Sequence, residues 1–191
     1  MLVTFGLAII TQNVMLEIYG AYPHSLPGGN LLTSVVAIAG YDFGVLPLVT
    51  FAVALLSMFT LDFVLYRSTL GATIRAVSDD VAAAELIGLS SGRIYAFAMG
   101  ICFLTIAVAA CFMGLRNNFD PSSGPNNLLS AFESVVLGGL GSIWGTLAGG
   151  IVLGIAQGLG GQIDFGWQTL AGHLVFLFVL AVRPQGLFPK Y

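Results

Sequence analysis

The sequence predicts an all-α polytopic membrane protein: a helical bundle of about five to six membrane segments, with a discontinuous or re-entrant helix near 128–141. Three observations carry this prediction. Only 8% of the 191 residues are charged and 57% are hydrophobic, whereas soluble domains carry about 25% charged residues. A mean hydropathy of +0.95 leaves too little polar surface to face water. The apolar residues also fall into runs of near-span length without strand-like alternation, and glycine is abundant, as membrane helices tolerate. The net charge of −3 gives no sign of a nucleic-acid partner.

The first apolar segment covers 1–19. It has no basic n-region and no small-residue cleavage site, so no cleavable signal is expected. Residues 21–44 are rich in turn formers and read as an extracytoplasmic loop at the membrane interface. Spans follow at about 45–66 and 94–115, then a polar loop at 116–127. The short run 128–137 is below the ~20 residues of a full crossing. It reads as a half-helix ending near Gly138 and Gly139, where broken backbone has to be covered by protein or line a water-filled cavity. A glycine-rich helix at about 142–159, a last span at about 167–182 and the tail RPQGLFPKY complete the chain. Residues 1–191 read as one transmembrane domain with a charged segment at 67–92.

Basic residues set the expected orientation. Arg67, Arg75, Arg93, Arg183 and Lys190 fall on one side and Arg116 alone on the other. The positive-inside rule places 67–92 and both termini in the cytoplasm. Parity then requires the chain between the 94–115 and 167–182 spans to dip into the membrane and return.

Most sequence signatures of chemistry fail on inspection. Cys102 and Cys111 share a helix and lie roughly 13 Å apart, too far for a disulfide, so they read as apolar core residues. Gly141, Gly145 and Gly149 are spaced by four, as are Gly150, Gly154 and Gly158, and they predict ridges for close helix packing. They do not predict a phosphate loop, which needs a lysine after its last glycine; the only lysine is Lys190, and Trp144 stands where a dinucleotide fingerprint needs its third glycine. Residues 88–92 match G-x-S-x-G, with Asp164 and His173 following in hydrolase order. That motif needs a strand-to-helix elbow, and the expected topology puts Ser90 and Asp164 a membrane thickness, ~30 Å, apart. Gly88 and Gly92 read instead as helix-ending glycines. Asp62 reads as an interfacial charge, and Gln157 and His173 as helix-end polar groups; a lone histidine is no metal site. No metal and no cofactor are expected. Gln12, Asn13, Glu17 and Glu133 lie within apolar segments, where polar groups line a translocation path or join helices. Asn13 and Glu17, four apart, share a face.

The 67–92 segment holds most of the charge. Good helix formers predict a helix over 72–88. Ser78 is placed to cap a helix start, with Asp79 and Asp80 in its first turn, and Leu86, Ile87 and Leu89 form an apolar end for packing. Here a family resemblance enters. GATIRAVSDDVAAAELIGL resembles the cytoplasmic loop of branched-chain amino-acid ABC transporter permeases. Its 82–88 stretch is similar to the E-A-A-x-x-x-G loop of importer permeases, with Ala82 in place of the leading glutamate. VLGGLGSIWGTLAGGIVLG and RPQGLF match as well, so the likeness covers about 60–190 and is looser before that. The likeness is to the H-type permease rather than its longer M-type partner.

The resemblance implies a permease subunit in the bacterial inner membrane. It implies a second permease subunit, two cytoplasmic ATPases that hydrolyse the ATP, and a periplasmic or extracellular binding protein delivering leucine, isoleucine or valine. Carried over by position, Arg75, Asp79, Asp80, Ala83, Ala84, Glu85 and Gly88 would make the ATPase contact. Such permeases usually carry further spans ahead of the first one here, which leaves a fragment, a misassigned start and a natural truncation as readings. Two other functions remain open: a permease for another small solute (a sugar, urea or another amino acid) and a non-transporting membrane scaffold.

Overall fold

A computed structural model describes residues 2–29, 34–38 and 41–188. Lys190 lies outside these. The chain divides into two compact units, Ala21–Asp120 and Met1–Gly20 with Pro121–Tyr191.

In the first unit, the described residues of 21–44 include a pair of strands as well as loop. Strands β1 (Val35–Ile38) and β2 (Tyr41–Gly44) pair antiparallel, with Val35 opposite Gly44. The β-branched and aromatic residues of these short runs favour that pairing, a signal too brief for span counting to register. Upstream, His24 and Phe119 exchange two backbone hydrogen bonds of 2.8 Å. The three helices that follow are α2 (Val45–Arg67), α3 (Thr69–Asp79) and α4 (Val81–Leu86), and α5 (Ser91–Arg116) closes the unit. The corner between α2 and α3 is built by Ser68 and Gly71. Ser68 Oγ donates to the Val64 carbonyl at 2.5 Å and accepts from the Gly71 N–H at 3.1 Å, the N-cap pattern. A Cβ on Gly71 would lie 2.3 Å from the Val64 and Leu65 carbonyl oxygens, so only glycine fits. Helix α3 packs on α2 and α5, and α4 on α3 and α5.

In the second unit, α1 (Leu2–Tyr19) is followed by α6 (Ser123–Gly138), α7 (Ile143–Ile163) and α8 (Phe165–Val182). Helix α6 starts five residues before the predicted segment, because Pro125 falls in its first turn, where no N–H is needed. Helices α6 and α7 form an antiparallel hairpin, and so do α7 and α8, separated only by Asp164. Glycine makes both contacts possible. A Cβ on Gly138 would lie 2.1 Å from the Gly145 oxygen, one on Gly149 2.3 Å from the Ser134 oxygen, and one on Gly160 2.6 Å from Ala171 Cβ.

The break predicted near Gly138 and Gly139 is present, and the C-terminal tail covers it. Gly139 and Gly141 take φ of 105° and 87°, the left-handed region glycine tolerates. The Leu187 and Phe188 N–H groups donate to the Leu137 and Gly138 carbonyls at 2.9 and 3.0 Å. These are orphan acceptors at a helix end. Gly186, with φ 81°, approaches so closely that a Cβ there would lie 2.7 Å from Gly139 Cα. Two separate sequence motifs, the glycine-rich turn and RPQGLF, thus form one structure.

Helices α2, α5 and α7 are long and apolar enough to cross a membrane, and α1 and α8 are shorter apolar helices. Their large side chains point outward: Phe59, Phe103, Leu104 and Phe178 are each more than half exposed. Apolar surface on this scale marks contact with a membrane, and the chain is a multi-pass membrane protein.

Candidate functional site

Two places gather the residues singled out in the sequence. The first is the α3–α4–α5 corner. The predicted helix over 72–88 is in fact two helices that meet at Asp80, and the caps differ from expectation. Ser78 lies in the last turn of α3 and caps nothing. Asp80, at φ −150° and ψ 105°, leaves the helical region, and its Oδ1 accepts from the Ala83 N–H at 3.1 Å. A carboxylate reaching the third helical N–H is the better cap here, so the chain breaks at Asp80 and restarts as α4. That helix ends in a Schellman turn: the Gly88 N–H donates to the Glu85 carbonyl at 3.0 Å and the Leu89 N–H to the Ala84 carbonyl at 3.1 Å. Gly88, at φ 88°, is the helix-ending glycine expected. Gly92 is not; it is the second residue of α5.

Side chains then fix α4 to α5. Ser91 Oγ donates to Glu85 Oε1 at 2.5 Å. Among the carried-over residues, Arg75, Asp79, Asp80, Ala83, Glu85 and Gly88 are exposed, and the Arg75 guanidinium lies over the Tyr66 ring, 5.4 Å from its centroid. Ala84 is different: it is buried, so its small side chain serves packing within the unit. Leu86 and Ile87 were expected to pack. Instead they are 89% and 75% exposed. The short helix pinned to α5 therefore ends in an exposed apolar tip.

The second place is inside the other unit. Glu133 on α6 is buried, and its Oε1 lies 2.5 Å from His173 Nδ1 on α8. His173 was expected at a helix end; it sits midway along Phe165–Val182, where its side chain meets α6 rather than the helix terminus. Glu133 Oε2 is buried and accepts no hydrogen bond from the described residues, and leaving such an acceptor bare costs about 1–3 kcal/mol. The pair joins two helices through groups that are expensive to hold in a membrane segment. It also removes His173 from any hydrolase triad: Asp164 stands nine residues earlier on the same chain segment, roughly 13 Å along the helix. Nothing in the sequence pairs residues forty apart, so this contact was not foreseen.

The remaining candidates are dispersed. On α1, Asn13 Nδ2 donates to the Ile9 carbonyl at 2.8 Å, Gln12 is half-buried and Glu17 is exposed. Among the ridge glycines, Gly145 and Gly149 face α6, and a Cβ on Gly150 would lie 4.0 Å from Ser134 Oγ. Gly141 is off the helix, in the turn, and Gly154 and Gly158 face open space, with nothing within 4 Å of an added Cβ.

Comparison with known proteins follows the same lines. Residues 1–182 match the family described as branched-chain amino acid transport system / permease component. The chain is 30% identical to the high-affinity branched-chain amino acid transport permease BraD of Pseudomonas aeruginosa and 27% identical to LivH of Escherichia coli strain K12. Each of these alignments takes in 97% of the chain and 62% of the relative. It is 31% identical to Escherichia coli LivM, over 74% of the chain and 33% of that protein. The chain therefore spans about 62% of the length of the first two curated relatives. No solved structure matches it significantly.

Proposed function

The chain belongs to the branched-chain amino acid transport permease family, and from that premise we propose that it is the permease subunit of an ATP-driven importer of leucine, isoleucine and valine. In this reading the 67–92 segment is cytoplasmic, as are both termini, and the protein sits in the bacterial inner membrane. A second permease subunit completes the path, a binding protein outside delivers the amino acid, and two ATPases dock at α3 and α4. ATP hydrolysis takes place on those chains.

The observation that carries the reading is the construction of α4. Its exposed tip, Leu86 and Ile87, offers apolar area to a groove on a soluble partner. Its Asp80 cap and its Glu85–Ser91 hydrogen bond tie that tip to α3 and α5. A push on the tip reaches the membrane span through two short, specific contacts rather than through a slack loop. Exposed Arg75, Asp79 and Asp80 set the register of docking. Gln12, Asn13, Glu17 and Glu133 supply the polar side of the path.

The test is co-purification with the cognate ATPase. Ala83→Trp and Leu86→Asp should abolish it while leaving the variant helical and monodisperse. Retention of the ATPase by both variants would contradict the docking surface.

A further inference from the structure

Arg93 stands in the first turn of α5, a 26-residue helix long and apolar enough to cross a membrane. The side chain is exposed, and Nε donates to Ser90 Oγ at 2.7 Å. A guanidinium has five N–H donors, so its outer edge remains available, and no described carboxylate pairs with it. Arg75 by contrast is turned onto Tyr66. Two open apolar grooves meet at Arg93 and Phe97. One, of about 310 Å³, lies between α3 and α5, lined by Leu70, Ile74, Leu89 and Ile94. The other is a shallow, open trough on the face of α5 itself, where the small Ala96 and Gly100 lie beside Phe97, Ile101 and Leu104. From Arg93 to Leu104 the helix rises roughly 16 Å, about one leaflet of a ~30 Å hydrocarbon core. Gly100 keeps the trough open, since an added Cβ there meets nothing within 4 Å.

A cation without a described counter-charge, at the start of a membrane helix and at the head of an apolar trough one leaflet long, fits one kind of molecule. We propose that α3 and α5 hold an anionic phospholipid of the bilayer, with its phosphate on Arg93 and an acyl chain along Ala96–Leu104. The charge fixes the headgroup and the trough fixes the chain. The site is separate from the α4 tip, so the lipid is held on the membrane side of the corner that the ATPases would push.

The full chain, purified in detergent, delipidated and titrated with phosphatidylglycerol, tests this by native mass spectrometry. The wild type is expected to retain one lipid. Retention should fall about fivefold in Arg93→Gln, the loss of one cation near the headgroups, and recover in Arg93→Lys. Gly100→Leu, which fills the trough without touching Arg93, should also lose the lipid, and excess inorganic phosphate should not displace it. Equal retention by wild type, Arg93→Gln and Gly100→Leu overturns the proposal. So does displacement by inorganic phosphate, which would mark a plain anion site, or a wild type that retains no lipid, which would leave the trough to a protein helix. If Arg93→Gln does not fold, Gly100→Leu decides alone.

Discussion

At the scale of the residue, the strongest constraints are glycines at which a side chain would strike backbone. Gly138→Ala and Gly149→Ala place a Cβ 2.1 to 2.3 Å from carbonyl oxygens of the neighbouring helix. Overpacking of that kind should destabilise by about 1–3 kcal/mol. Gly154→Ala, on the open side of the same helix, should change stability by less than about 0.5 kcal/mol. Thermal unfolding in detergent measures all three, and equal effects at 149 and 154 would refute the packing described. The Glu133–His173 pair gives a second prediction. A double-mutant cycle with Glu133→Gln and His173→Ala should show coupling of about 0.6–2 kcal/mol, the range of interhelical polar contacts in membranes. Spacing by four made the glycine ridges legible in the sequence, yet it could not say which glycines close on a neighbour, because that depends on the path of α6 and α8. The pair was not legible at all, since it joins groups far apart in the chain.

At the scale of the element, the 67–92 segment shows how local chemistry redirects a helix. Alanine-rich composition predicts one helix over 72–88, and helix propensity alone would give it. The carboxylate of Asp80 competes by accepting from the Ala83 N–H, and the helix divides there. Asp80→Ala should cost about 1 kcal/mol and raise amide exchange at Ala83 and Ala84, with α3 unaffected. The hairpin at 35–44 was hidden for the opposite reason: four-residue strands leave almost no periodic signal. The tail is a third case. RPQGLF and the turn at 139–142 stood as independent motifs until the Leu187 and Phe188 N–H groups were seen on the Leu137 and Gly138 carbonyls. Gly186→Ala, strained at φ 81° and crowded against Gly139, should release the tail and increase exchange at the Leu187 and Phe188 amides.

At the scale of the molecule, composition and run length made the membrane class plain, and the helices turn their large apolar side chains outward as that class requires. The proposed orientation rests on the distribution of arginines, and the proposed function on motifs whose physical meaning lies in contacts outside this chain. The α4 tip illustrates this: Leu86 and Ile87, expected to pack, are exposed instead, and that exposure supports the proposed docking. Coupling between that tip and transport is therefore the central point to measure. The direct measurement is ATP-dependent leucine uptake in proteoliposomes holding this chain with a second permease subunit, the ATPases and the binding protein, compared between wild type and Leu86→Asp. The wild type is expected to take up leucine and Leu86→Asp to stay near background, with the variant's helix content unchanged. Undiminished uptake by Leu86→Asp, or no uptake by a fully assembled wild type, would contradict that coupling.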